Sequence, residues 1–257
     1  GRVLFGVGVE PAYTPVRTAG ALNPMPPPAR EEVSVIAPEI FSAGVTRGPP
    51  APAARVGLYQ SHVPSMDEGW TRWVFEGQTG DSPAFRTVRD AEVRAGGLRA
   101  KYDAIIIPDQ SPRAILEGHR RGTMPEEFTG GLGAEGVRAL REFVERGGTL
   151  VCLNEASNFA IGQLNLPVRD VTEGLKRTEF YVPGSILRTV LDTSHPLAKG
   201  MPRESIAWFE DSPVFEVKSD PLALVRVKIV ARYPQAGSPL LSGWLLAPAF
   251  AEDKSAP

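Results

Sequence analysis

Between Arg55 and Pro167 the chain alternates two kinds of apolar pattern. RVGLYQS (55–61), YDAIIIPDQ (102–110) and TLVCLN (149–154) are short, nearly solid apolar runs, as strands covered on both faces must be. Ile105, Ile106 and Ile107 form the clearest of them, and Pro108 stops it. Helical periods lie between these runs. MDEGWTRWVFEGQ (66–78) follows the first strand. In AEGVRALREFVERGG, Val137, Leu140, Phe143 and Val144 recur at helical spacing before the stop signal Gly147-Gly148. Such alternation with short turns predicts a parallel sheet with helices on both faces. After Pro167 the pattern changes to FYVPGSILRTVL, SIAWFEDSPVFEV, LALVRVKIVARY and LLSGWLLA, which predict a strand-rich antiparallel or mixed extension.

Residues 1–54 read differently. They hold ten of the 25 prolines, a density that prevents a continuous ladder and predicts a linker or peripheral wrap, with residues 55–257 as the α/β domain. Short apolar runs at Val3–Phe5 and Val33–Ile36 have the length of edge strands. GRVLFGVGVEPAYTP does not read as a signal peptide, because it has one positive charge and an apolar run broken by glycines and Pro11. A net charge of −2 and pI near 6.0 give no basic footprint for nucleic acid. No run approaches the ~18 apolar residues of a membrane span. A single cysteine excludes an internal disulfide and a cysteine-based zinc cluster. His62, His119 and His195 are not spaced for metal binding, so no cofactor is expected in this chain. His195 precedes a proline in what reads as a rigid connector, and His119 reads as a solvated loop residue.

Ligands of open parallel sheets bind at the carboxyl ends of the strands, which gathers three turns: SHVPSMDEGW, PDQSPR and NEASN. Asp67 reads as a helix N-cap, and Glu68 as either first-turn electrostatics or an acid/base contact over the strand ends. Trp70 and Trp73, three apart, read as packing aromatics. Asp109 and Gln110 are pocket candidates or ordinary turn residues. Cys152 alternates with Leu150 on one face of its strand and reads as a small core hydrophobe, away from the turn where a nucleophile must be exposed. Asn154, which tolerates left-handed backbone, takes the turn position, and Glu155 follows it.

LYQSHVPSMDEGWTRWVFE, KYDAIIIPD, GGLGAEGVRALREFVERGGTLVCLNEASNFAI, FYVPGSILRTVLDTSHPLAKGMP, WFEDSPVFEV and LLSGWLL together resemble a known family. This is the class I glutamine amidotransferase-like domain that follows the catalytic domain of certain bacterial zinc metallocarboxypeptidases. The resemblance runs from Arg55 to Leu246, and its specific parts are DEGWTRW and PGSILR. It implies a flavodoxin-like, three-layer α/β sandwich with a mostly parallel central sheet and a strand-rich C-terminal extension. Laid on this sequence, the family's nucleophilic cysteine falls on Asn154, and the histidine that usually follows it on Glu155. The resemblance therefore implies a non-catalytic structural or ligand-binding domain. Zinc would sit only in a separate catalytic domain, the parent's own protease domain would be the partner, and secretion or a periplasmic location would follow. Asp67, Glu68, Trp70, Asp109, Gln110, Asn154 and Glu155 would line a pocket for a small polar ligand. Family members continue beyond LLSGWLL through a further strand, which GRVLFG at the N-terminus faintly resembles. That likeness reads as coincidence, although strand addition from residues 2–7 would complete the sheet. Two other readings stay open: a hydrolase or amidotransferase-like enzyme using Cys152 or Glu68 with Glu155, and a carbohydrate- or peptide-binding module using Trp70, Trp73 or Trp208.

Overall fold

The structure, a computed structural model, describes residues 2–5, 54–76, 84–218, 225–234 and 237–246. Val33–Ile36, and almost all of the proline-rich region, lie outside the described residues. Five strands form one wholly parallel sheet: β1 (Arg2–Phe5), β2 (Val56–Tyr59), β3 (Phe85–Val88), β4 (Ala104–Ile107) and β5 (Thr149–Cys152), in the order β1-β5-β4-β2-β3. Taken from β2 onward, the strands follow the 2-1-3-4 sequence of a flavodoxin-like sheet, and β1 stands in the fifth place. The chain thus has the flavodoxin-like arrangement of a doubly wound α/β fold.

Partners in parallel register share a face, so Gly57, Ile105 and Leu150 point one way and Leu58, Ile106 and Val151 the other. The first face is the drier one. Against Ile105, Ile107, Leu150 and Cys152 pack α2 (Asp90–Ala95), α3 (Leu98–Lys101), α4 (Pro112–Glu117), α5 (Gly133–Glu145) and α6 (Ala156–Leu164). The predicted helical period is α5: its Leu140 and Phe143 are fully buried, each worth about 2 kcal/mol of apolar burial. The helix stops at Gly147, whose φ of +92° suits glycine. On the opposite face lies α1 (Met66–Phe75), which reaches β3 through an Arg72–Thr87 hydrogen bond and a Phe75–Phe85 ring contact. Right-handed crossovers require this division. The step from β2 to β3 runs in the opposite direction to the steps from β3 to β4 and β4 to β5, so its helix falls on the other side.

The extension is antiparallel. β7 (Ser185–Leu191) pairs with β8 (Glu204–Phe209) on one edge, and with β10 (Ala231–Arg232) and β11 (Leu240–Ser242) on the other. β6 (Val168–Asp170) pairs separately with β9 (Phe215–Val217). A second core gathers Val182, Leu187, Phe209, Val214 and Tyr233. LALVRVKIVARY yields only the two-residue β10 among its described residues, because Lys228 and the residues around it pair with no ladder there. β3 was not anticipated: FRTV is an edge strand with only Val88 buried, so it lacks the apolar run that marks a central strand. Among the described residues no helix is long and apolar enough to cross a membrane.

Candidate functional site

The sheet changes direction at β2, whose successor β3 lies on one side and β4 on the other, and ligands of such folds enter at this switch point. A pocket of about 200 Å³ opens there. Its polar wall is Gln60, Ser61, Glu68 and Gln110, and its apolar wall is Val63, Pro64 and Pro108. Helix α1 is fixed against it from its first turn. The N-cap is Ser65 and not Asp67, because the Ser65 hydroxyl accepts from the Glu68 N–H at 3.2 Å and donates to the Asp109 carbonyl at 2.9 Å. Asp67 is exposed in the first turn that follows.

Glu68 is the one buried residue of α1, 7% exposed. Its Oε1 accepts from Arg72 Nε at 3.0 Å, and its Oε2 accepts from Gln60 Nε2 at 3.2 Å. Arg72 in turn donates to Thr87 of β3. The carboxylate is thus neutralised by a clamp that ties α1 to two strands, which is how a charge this buried is held. Gln110 Nε2 donates to the Val63 carbonyl at 2.9 Å, leaving its amide oxygen as an acceptor at the pocket. The pocket is therefore close to neutral and rich in amide groups.

Asp109, Asn154 and Glu155 form a second cluster, distinct from the pocket lining. Asn154 follows β5 with φ +46°, the left-handed geometry of a sharp strand-to-helix elbow. Its Nδ2 donates to Asp109 Oδ2 at 2.6 Å, and the Glu155 N–H donates to Asp109 Oδ1 at 3.0 Å. One carboxylate therefore holds both the side chain at the elbow and the first backbone donor beyond it. Burial raises the Asp109 carboxyl above the usual range, the Asn154 and Glu155 bonds oppose this, and the nearby Asp67 charge adds to it. Glu155 is raised too, by partial burial first and then by Asp109, Asp170 and Asp211. Asp170 braces the next turn. It accepts from Thr172 N–H and Oγ1, Val214 N–H and Asn158 Nδ2, which joins α6 to the loop before β9.

Cys152 lies one layer below the elbow. It is wholly buried at the end of β5, and burial alone pushes its thiol far above the usual range. Trp70 and Trp73 are not core aromatics: they are 58% and 51% exposed and meet edge-to-face at 6.0 Å. Trp208 is exposed as well. The stripe Met66, Trp70, Trp73, Val74 has the spacing of a buried face but faces outward, since α1 turns Glu68 toward the sheet instead. His119 is half-buried, and its Nε2 lies 3.1 Å from the His62 carbonyl, so it ties the loop after α4 to the turn after β2 and is not a free loop residue. His195 accepts from the Leu197 N–H through Nδ1 and caps a short 3₁₀ turn. Among the described residues no three His, Cys, Asp or Glu side chains converge to hold a metal ion.

Tyr59 and Asp90 had no signal in the sequence. The buried Tyr59 hydroxyl donates to Asp90 Oδ1 at 2.6 Å, and the buried Asp90 Oδ2 has no hydrogen-bond partner among the described residues. Burial and the Asp90 charge raise the Tyr59 hydroxyl well above its ordinary value. Because Asp90 begins the helix after β3, the pair becomes visible only once β3 is placed beside β2.

No protein-family model and no curated protein matches the chain. Among solved structures it is similar to a ThuA-like protein from Bacteroides uniformis, with 14% identity, 79% of this chain and 80% of that chain covered, and a TM-score of 0.40. It is also similar to a GMP synthase subunit from Thermoplasma acidophilum, with 9% identity, 70% and 74% covered, and a TM-score of 0.39. Likeness of this degree carries nothing about the site.

Proposed function

We propose that this chain is a non-catalytic amidotransferase-like module, an accessory domain of a secreted or periplasmic zinc carboxypeptidase whose zinc resides in a separate protease domain. The carrying observation is the Asp109 clasp. Acyl-transfer chemistry at such an elbow needs a nucleophile and a free backbone N–H after it to receive the oxyanion. Here the elbow residue is Asn154, and the Glu155 N–H already points at a carboxylate. A negative charge there repels the oxyanion that the donor would otherwise stabilise. The carboxypeptidase context rests on the resemblance of DEGWTRW and PGSILR. The remaining function of the sheet end is a structural or ligand-binding one, with the neutral pocket beside Glu68 as the place for a small polar ligand.

The chain should release no ammonia from glutamine and should not cleave carboxypeptidase substrates with or without added zinc. The Asn154→Cys variant should remain inactive on glutamine, because its thiol would face Asp109 and find no free N–H. Zinc-dependent hydrolysis by this chain, or glutamine turnover by the single variant, overturns the proposal.

A second reading is favoured by the exposure of Trp70, Trp73 and Trp208: a surface for sugars or peptides. The 88° angle between the Trp70 and Trp73 rings gives single-ring contacts and not a shared platform. Quenching or blue shift of tryptophan emission on titration with oligosaccharides, lost in Trp70→Ala, supports this reading, and unchanged emission removes it.

A further inference from the structure

β1 lies along the outer edge of β5, with Arg2 opposite Thr149, Val3 opposite Leu150, Leu4 opposite Val151 and Phe5 opposite Cys152. The Arg2 N–H donates to the Gly148 carbonyl at 3.1 Å. In strand order β1 holds the fifth place of the sheet although it comes first in the chain. The chain leaving β5 does not supply that strand: it passes through α6 to β6, which pairs with β9 elsewhere. The fifth place is thus filled by a strand brought from far away in sequence, with about fifty residues between Phe5 and Val56.

Two further facts bear on how firmly that place is held. β5 is a strand of the dry core, with Leu150 and Cys152 wholly buried, so its bare edge would be an apolar template for another strand. β1, by contrast, is four residues long and, among the described residues, paired on one side only, whereas β2, β4 and β5 are paired on both. About fifty residues separate β1 from β2, so bringing β1 to the sheet closes a far longer loop than the turns that join the other strands. Few main-chain bonds and a long closure make an exchangeable occupant.

We infer that the outer edge of β5 is a strand-acceptor site, filled by residues 2–5 of its own chain and able to take the same residues of a second copy. Recognition is by main-chain hydrogen bonds in parallel register, with alternate side chains giving preference. The inference is independent of the function proposed for the elbow and the pocket.

The test uses the full chain and a fluorescein-labelled peptide, GRVLFGV, as the stand-in for a second copy's strand. Parallel pairing alternates, so the N–H of Leu4, like that of Arg2, faces β5. Leu4→Pro removes that donor and empties the edge. The variant, its edge no longer taken by its own strand, should bind the peptide about tenfold more tightly than the wild type. A scrambled peptide should bind neither. Equal binding to both chains, or no binding to a variant with native circular dichroism, overturns the inference. Hydrogen exchange on the unmodified chain gives a second readout. The Leu150 and Cys152 amides face β1, while those of Thr149 and Leu153 bond to the β4 side. The first pair should exchange at least tenfold faster than the second, and equal protection of all four overturns the inference even where Leu4→Pro fails to fold.

Discussion

Asn154 offers a sharp quantitative test of the elbow, through the comparison of Asn154→Gly with Asn154→Ala. Both variants lose the 2.6 Å bond from Nδ2 to the Asp109 carboxylate. Hydrogen bonds to charged groups contribute about 1.5–3 kcal/mol, and the half-buried setting lets water recover part of it, so each variant should lose about 1–2 kcal/mol on this account. The two then part company over the backbone. At φ +46° glycine is at ease, whereas alanine bears about 1–2 kcal/mol of left-handed strain. Glycine is penalised in the unfolded chain by about 0.4–1 kcal/mol, which at an ordinary position makes alanine the more stable residue. The elbow should reverse that order, leaving Asn154→Ala less stable than Asn154→Gly by about 1 kcal/mol. With a urea m-value of about 2 kcal/mol/M, the midpoints should differ by about 0.5 M, readable from tryptophan fluorescence. If alanine proves equal to or more stable than glycine, the elbow is not left-handed, and the clasp argued from it fails.

Cys152 in the native chain should react with iodoacetamide at neutral pH at least about 10³-fold more slowly than in urea, since labelling must await opening. Labelling within tenfold of the unfolded rate would restore Cys152 as a reactive thiol. Tyr59→Phe removes the one bond given to Asp90 by a hydroxyl and leaves a buried carboxyl poorly served, so about 2 kcal/mol should be lost. Asp90→Asn keeps an acceptor for Tyr59 and should cost less, and a neutral Tyr59→Phe would show that the pair contributes nothing. Glu155 has a carboxyl raised by partial burial and by three neighbouring carboxylates. A raised acid contributes stability that is fully present below its unfolded value of about 4 and lost as pH rises through the folded one. Glu155→Gln should therefore raise the urea midpoint at pH 7, with the difference closing by pH 4, and a constant difference across that range would refute the assignment.

The legible parts of the fold were those where local pattern and tertiary role coincide. Ile105–Ile107 and Leu150–Cys152 are apolar at successive positions because the sheet is covered on both faces, and that signature survives in the bare sequence. Asn154 was legible because few residues other than glycine accept positive φ, and an asparagine directly after a solid apolar run marks a turn. β3 was hidden by its edge position, where polar residues are tolerated, and Asp90 was hidden with it. Helix α1 misled for a different reason. Met66, Trp70, Trp73 and Val74 recur as a core stripe would, and periodicity states that a helix has an apolar face without stating which face meets the sheet. The clamp of Glu68 by Arg72 and Gln60 decides that orientation, and it needs β2 and β3 in place before it exists.

The same tertiary dependence explains why the candidate site divides. In sequence, Glu68, Asp109, Gln110, Asn154 and Glu155 stand alike at the ends of three strands, and a single pocket is the economical reading. In the fold, Pro108 ends β4 and the next two residues turn to opposite sides. Gln110 goes to the β2 turn through Val63, while Asp109 goes to the β5 elbow through Asn154 and Glu155. One two-residue turn therefore serves both places. Gln110 keeps an acceptor for whatever enters the switch point, whereas Asp109 spends both oxygens inside the protein. The pocket wall thus presents amide groups and a Glu68 paired with Arg72, while the Asp109 carboxylate is turned toward the elbow, against the Glu155 N–H.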